Sequence, residues 1–175
     1  MSIRSSVPSV YPASRSDRPI VERLLQLYLH DFSGFSEADD PFGDTDDNGV
    51  FHYKDLETYW QQTEREPLLF QTGSHLAGFA FVNSWSASGR GTDRAIAEFF
   101  VLRRYRRIGL GTHAATEIVR RRPAVWEIAV ADYNRPALLF WRSVVANLNG
   151  YESEEIDGDG QRWCGRVVRL TPNSK

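Results

Sequence analysis

The segment Ala95–Val101, AIAEFFV, running directly into LRRYRRIGLGT, constrains the fold more than any other part of the chain. Its apolar strand formers end where Gly109 and Gly111 mark a turn, and Thr112 to Arg122 then carries a helical pattern. A strand that passes through a glycine turn into a helix leaves unpaired backbone N–H groups at the helix start, where the helix dipole also favours negative charge. Such a start binds phosphate oxygens. The glycines let a ligand approach the backbone closely, and the surrounding arginines add charge-assisted contacts. Residues Arg106, Arg107, Ile108, Gly109, Leu110, Gly111 and Thr112 therefore read as a pyrophosphate cradle.

Two familiar phosphate motifs do not fit. A Walker loop requires a lysine after its second glycine, and Thr112 follows Gly111. The dinucleotide fingerprint needs a third glycine in a first βαβ unit, whereas Thr112-His113-Ala114 supplies none and the segment lies late in the chain.

At 175 residues with 41% hydrophobic and 25% charged side chains, the chain suits one globular domain. We expect residues 1–16 to be a loose N-terminus carrying the first strand, 17–170 the domain, and 171–175 a tail. The longest apolar run, Leu76–Val82, is far short of a membrane span, and the N-terminal stretch lacks a signal-like apolar core. A cytoplasmic protein with no membrane partner is expected. One cysteine, Cys164, excludes an internal disulfide and a cysteine-rich zinc site. A net charge of -2 argues against a nucleic-acid partner, despite the arginine cluster.

Along the chain, a strand is expected near Val7–Pro12 and a helix from an Asp17 cap with Pro19 to about Phe32. A loop over 33–51 and a second helix over Lys54–Glu64, ended by Pro67, follow. Leu68–Thr72 and Leu76–Trp85 form a hairpin over Gly73-Ser74. After the loop 86–93 come the strand Ala95–Val101, the helix 112–122, a strand at Val125–Val130 and a helix at Arg135–Asn147. A hairpin of Glu152–Ile156 and Arg162–Leu170 closes the chain. The order is β-α-α-β-β-β-α-β-α-β-β, an α/β fold.

The spacing Arg106-x-x-Gly109-x-Gly111 after a strand resembles the acetyl-CoA signature of the GNAT-type N-acetyltransferase superfamily. Asn134-x-x-Ala137-x-x-Phe140-Trp141 is similar to that family's downstream segment, and the element order matches over nearly the whole chain. The resemblance implies a single-domain GNAT-like fold, a mixed and mostly antiparallel twisted sheet flanked by helices. It implies acetyl-CoA as co-substrate, with no metal. Backbone groups of Val101 and Arg103 would hold the pantetheine arm, Arg106 to Thr112 the pyrophosphate, and Asn134 the end near the thiol. It also leans toward a homodimer.

Direct acetyl transfer needs a base for the amine, an oxyanion donor and a proton for the departing thiolate. Glu98, on the strand before the cradle, is the candidate base, directly or through water; pairing with an arginine or facing solvent is its plain structural alternative. The oxyanion donor is expected at a backbone N–H near Leu102. Trp141 stands where the family's segment closes in a tyrosine, and an indole cannot titrate usefully. Tyr133, Tyr151 or solvent would then supply the proton.

Six carboxylates lie between Glu37 and Asp47. Asp44-Thr45-Asp46-Asp47-Asn48-Gly49 matches the start of a calcium loop, but Pro41-Phe42-Gly43 is no entering helix and Asp55 falls where a bidentate glutamate belongs. A solvated acidic turn is the simpler reading, and a wall that attracts a cationic acceptor is a third. His113 and Glu117, one helical turn apart, read as an exposed pair. The expectation is an acetyl-CoA-dependent N-acetyltransferase acting on a small-molecule or peptide amine, with a CoA or acyl-CoA binding module without turnover as the alternative.

Overall fold

The strand Arg94–Val101 sits at the centre of a seven-stranded sheet in the computed structural model, which describes residues 7–35 and 43–173. In chain order the strands are β1 (Pro8–Pro12), β2 (Glu66–Thr72), β3 (His75–Asn83), β4 (Arg94–Val101), β5 (Trp126–Ala131), β6 (Tyr151–Asp157) and β7 (Gly165–Pro172). Their spatial order is β1-β2-β3-β4-β5-β7-β6, and only β4 and β5 run parallel. Three helices flank the sheet: α1 (Arg18–Ser33), α2 (Leu110–Arg120) and α3 (Arg135–Ala146). This is the mixed, mostly antiparallel single-domain sheet that the sequence implied.

Both faces of the sheet are covered, so its central strands are apolar on both sides rather than alternating with polar residues. Phe79 and Phe81 of β3 pack with Val21, Leu24, Leu25 and Leu29 of α1. Their neighbours Ala80 and Val82 join Ala114, Ala115 and Ile118 of α2 and Val144 of α3 on the opposite face. Phe81 is fully buried, and truncation there to alanine costs about 3–5 kcal/mol. Gly78 is required by close packing, because a Cβ at that position would lie 2.0 Å from the Phe100 carbonyl oxygen.

β4 and β5 pair over only three residues, Arg94↔Trp126, Ala95↔Glu127 and Ile96↔Ile128. Immediately beyond, the β3–β4 register shifts from Val82↔Ile96 to Phe81↔Glu98, leaving Ala97 as the extra residue of a bulge. The two parallel strands then part, and the gap between them opens toward their C-terminal ends. This split positions the site.

Several boundaries differ from the sequence expectation. The helix expected over 54–64 is only a short 3₁₀ turn, Leu56–Trp60, entered through Asp55 at φ 59°. Two adjacent side chains are drawn inward there: Tyr59 stacks on Phe81 with centroids 4.1 Å apart, and the Trp60 indole donates to the Ala13 and Ser14 carbonyls. Pro67, expected to end that helix, lies inside β2, where its carbonyl accepts the Ala13 N–H. Asp17 holds the N-cap position of α1 as expected, but its carboxylate makes no capping bond to the helix and instead accepts the Ser14 N–H and hydroxyl within the preceding turn. β3 stops at Asn83 and β7 starts at Gly165, so Trp85 and Trp163 lie on loops.

Candidate active site

The cradle is built by backbone conformation. Arg107 and Gly109 both take positive φ, at 60° and 86°, and Gly109 is the N-cap of α2. The first intrahelical bond runs from the His113 N–H to the Gly109 carbonyl, so the amides of Leu110, Gly111 and Thr112 have no partner one turn earlier. Gly109 is needed for its conformation, since a Cβ there would meet nothing within 4 Å. At Gly111 proximity matters instead: a Cβ would lie 3.3 Å from the Phe140 ring on α3. Leu110 is buried under this turn, and Ile108 stays exposed at its rim.

Arg106, the first residue of the signature, is a strut as much as a cation. Its Nε donates to the Val101 carbonyl at 2.7 Å and its Nη2 to Asp31 of α1 at 2.6 Å, while the guanidinium lies over the Phe100 ring. Arg103 donates to the other oxygen of Asp31, also at 2.6 Å. Burial alone would raise the Asp31 pKa, but hydrogen bonds from Arg103 and Arg106 outweigh it and hold the carboxyl below its usual range. Arg103 also carries the start of a short 3₁₀ turn, and its carbonyl accepts the Arg106 N–H.

The edge of β4 facing the gap follows from strand alternation. The Leu102 N–H donates to the Ala77 carbonyl of β3 at 2.8 Å. Main-chain groups of Leu102 and Phe100 therefore point at β3, and those of Phe99 and Val101 point into the gap. This narrows the expected oxyanion donor near Leu102: the Leu102 amide itself is committed to Ala77, and the amides of Phe99 and Val101 face the gap. The Val101 carbonyl is held by Arg106, so Val101 offers its N–H alone.

Glu98 lies one strand step from that edge, on the α1 face, with both oxygens engaged. The Tyr53 hydroxyl donates to Oε1 at 2.9 Å, and the Tyr28 hydroxyl of α1 donates to Oε2. Burial raises the Glu98 pKa, while the two phenols pull it back; the net displacement is upward. Burial and the adjacent carboxylate push both phenols well above their usual range. No arginine pairs with Glu98 among the described residues.

Glu98, Val101, Arg103, Arg106, Arg107, Gly109, Gly111, Thr112, Tyr133, Asn134 and Trp141 all line one cleft of about 1060 Å³. Leu102, Ile108 and Leu110 support it from beside or beneath. Asn134 is the N-cap of α3, its Oδ1 accepting the Ala137 N–H at 3.2 Å. Tyr133 is half exposed and stacks on Phe35 with ring centroids 6.1 Å apart. Tyr151 is removed from the list of proton donors, because its hydroxyl donates to the Val119 carbonyl beneath the end of α2. Trp141 is buried, with its ring against Phe99 and Phe140, which makes it a wall of the cleft.

Sequence reasoning missed Tyr28, Asp31 and Glu127, which reach the cleft from distant segments, and read Tyr53 only as core or pocket lining. Glu127 of β5 is 1% exposed and accepts from Ser86, Ser88 and Arg169, the last at 2.6 Å. The acidic turn closes on itself: Asp46 accepts the Asn48 and Val50 amides and pairs with His52 at 2.9 Å. Backbone bonding from Val50, then His52, lowers its pKa to about 2. Of the expected acidic stretch, positions 37–42 lie outside the described residues. His113 and Glu117 approach within 3.4 Å on the exposed face of α2, the surface pair expected from their spacing.

A helix start with open amides beside a split β4–β5 pair, with a half-buried carboxylate on β4 next to the opening, is an arrangement suited to an acyl-CoA transferase of α/β type. The model of the acetyltransferase (GNAT) family matches residues 21–144, and the chain belongs to that family. It is therefore an acetyltransferase. Solved structures with the same fold include an acetyltransferase from Thermus thermophilus, with TM-score 0.65, 16% identity, and 95% of this chain and 97% of that one covered. The ribosomal-protein-S18-alanine N-acetyltransferase from Escherichia coli gives TM-score 0.57 at 14% identity, covering 97% and 96%. A GNAT family acetyltransferase from Elizabethkingia anophelis with acetyl-CoA bound gives TM-score 0.55 at 14% identity, covering 95% and 98%. No curated protein sequence matches the chain at a significant level. None of the described helices is long and apolar enough to cross a membrane.

Proposed function

We propose that this chain transfers the acetyl group of acetyl-CoA directly to the amine of a small molecule or peptide, using Glu98 as the base. The observation that carries the reading is the coexistence, in one cleft, of free helix-start amides at Leu110–Thr112 and a carboxylate with a raised pKa on β4. Anions belong at the first of these and amine protons at the second.

The residues divide the work by position. Amides of α2 and the side chain of Arg107 hold the pyrophosphate, with Arg103 at the outer edge. The Val101 N–H orients the pantetheine arm along β4, in the manner of an added strand. Asn134 presents its amide nitrogen near the thiol end, since its oxygen is used in capping α3. The Phe99 N–H is placed to stabilise the oxyanion as the amine attacks. Glu98 takes the proton that the amine loses when its bond to the acetyl carbon forms. As the carbon–sulfur bond breaks, the thiolate is protonated from Tyr133 or from solvent. No metal takes part in this scheme.

The acceptor approaches from the α1 side of the sheet, where Tyr28, Tyr53 and Glu98 lie. A CoA-binding module without turnover is the second reading, favoured only by Trp141 at a position that would otherwise carry a phenol. Thermal-shift titration separates binding from chemistry. Acetyl-CoA at 100 times its Kd stabilises by about 2.7 kcal/mol, which shifts the midpoint by roughly 5 to 11 °C. Thiol release over an amine panel then reports turnover. A shift without thiol release on any amine supports the binding module, and the absence of a shift contradicts both readings.

A further inference from the structure

The cleft continues past Glu98 along the α1 face of β5, where it is walled by two tryptophans from separate loops. Trp85, just after β3, is 47% exposed, and Trp163, just before β7, meets it with ring centroids 6.4 Å apart at an interplanar angle of 69°. Two rings near perpendicular make a corner. A third flat ring stacked on one wall would present its edge to the face of the other, the arrangement that aromatic quadrupoles favour.

Both walls are held in place before any ligand arrives. The Trp85 N–H donates to Asn83 at 3.0 Å. The loop beyond it is fastened by Ser86 and Ser88 to the buried Glu127, and by Arg169 to the Gly91 carbonyl at 2.7 Å. The Trp163 indole N–H donates to the Val130 carbonyl at 3.3 Å, which turns its polar edge toward β5 and leaves apolar ring surface for the cleft. An exposed tryptophan with a fixed backbone loses little entropy on contact, as binding anchors do.

Charge narrows the class further. Of the described carboxylates lining the cleft, Asp31 is neutralised by Arg103 and Arg106, and Glu127 by Arg169. Glu98 alone lacks an arginine partner, and Lys54 adds a positive charge to the same wall. Among the described residues, one amine is matched and a second ammonium is not.

On the acetyltransferase reading above, we propose that the acceptor is a monoamine carrying an aromatic or similarly flat apolar group, which seats in the corner formed by Trp85 and Trp163 while its nitrogen faces Glu98.

The test compares 2-phenylethylamine, n-butylamine, spermidine and a short peptide with a free α-amine in a thiol-release assay. Wild type is expected to favour 2-phenylethylamine over n-butylamine by roughly tenfold in kcat/KM, the size of an aromatic pair interaction. Trp85→Leu, which keeps apolar bulk on an exposed position, and Trp163→Ala should each bring that ratio toward one through KM, with the acetyl-CoA thermal shift retained. Equilibrium dialysis of 2-phenylethylamine against CoA-bound protein reads the same preference without turnover. Spermidine or the peptide as best acceptor, or a ratio untouched by both variants, overturns the proposal and leaves acetyl transfer standing. Loss of any acetyl-CoA shift in wild type overturns both.

Discussion

The Tyr53 hydroxyl donates to Oε1 of Glu98 at 2.9 Å, tying the segment that follows the acidic turn to the middle of β4. Tyr28 of α1 holds the other oxygen, so the carboxylate is clamped between two elements distant in the sequence. A carboxylate held at both oxygens by phenols has a fixed orientation, and each oxygen keeps a lone pair for an amine proton.

Burial sets Glu98 above the ordinary carboxylate value, and Tyr28 and Tyr53 partly offset that rise. The acid limb of kcat/KM should therefore lie above the usual glutamate range, with activity gained as pH rises through it. Tyr53→Phe removes a donor that favours the charged form, so the limb should move further up. Glu98→Gln should lower kcat by about 10²–10⁴ with the acetyl-CoA shift retained. An acid limb in the same place in wild type and Tyr53→Phe would remove Glu98 from the base role.

The same group makes a stability prediction with the opposite sign from a salt-bridged acid. Its folded-state pKa is raised, so the native state binds more protons than the unfolded chain between the two values, and this contribution to stability is lost as pH rises through the folded pKa. Urea unfolding of wild type and Glu98→Gln across that interval should show the dependence only in wild type.

Arg106→Lys should raise the KM for acetyl-CoA severalfold with a smaller change in kcat. A lysine has a single nitrogen centre and cannot reach the Val101 carbonyl and Asp31 together as the guanidinium fork does. Equal kinetic constants for the two proteins would show that the strut is dispensable.

Gly109→Val places a β-branched residue at φ 86°. The strain is about 1–3 kcal/mol, and relief of it would swing the first amides of α2 away from the cradle. The Kd for acetyl-CoA should rise roughly tenfold or more, with unfolding affected less, as read by calorimetric titration and urea denaturation.

Glu127→Ala should be the most damaging single change outside the apolar core. It removes the buried carboxylate partner of Arg169, which is 15% exposed and keeps only the Gly91 carbonyl and a 3.8 Å approach to Glu154, and of two serine hydroxyls, at a cost of about 3 kcal/mol. Urea midpoints measure the loss, and limited proteolysis should find its new cleavage within residues 84–92.

What could be read from the sequence was local. β4 declared itself by its apolar run, the cradle by two glycines at fixed spacing, and α3 by the pattern PALLFWRSV over 136–144. Each is a property of a few consecutive residues. The clamp on Glu98 was not legible, because Tyr28 and Tyr53 lie 70 and 45 residues from it and neither carries a local signature. The expected helix over 54–64 failed for the same reason: Leu56, Tyr59 and Trp60 have helical spacing, but Phe81 and the Ala13 carbonyl decide where two of them point. Which amide near Leu102 faces a ligand was not legible, because the pairing of Leu102 with Ala77 fixes which amides face the gap, and that register is set across the sheet.

A crystal structure with acetyl-CoA tests the central claim most directly. The account predicts the pyrophosphate on the amides of Leu110–Thr112, the pantetheine arm along the open edge of β4 at Val101, and the acetyl carbonyl beside Phe99 on the side of the sheet that bears Glu98. A cofactor bound elsewhere, or one whose acetyl group lies out of reach of an amine held at Glu98, would contradict it.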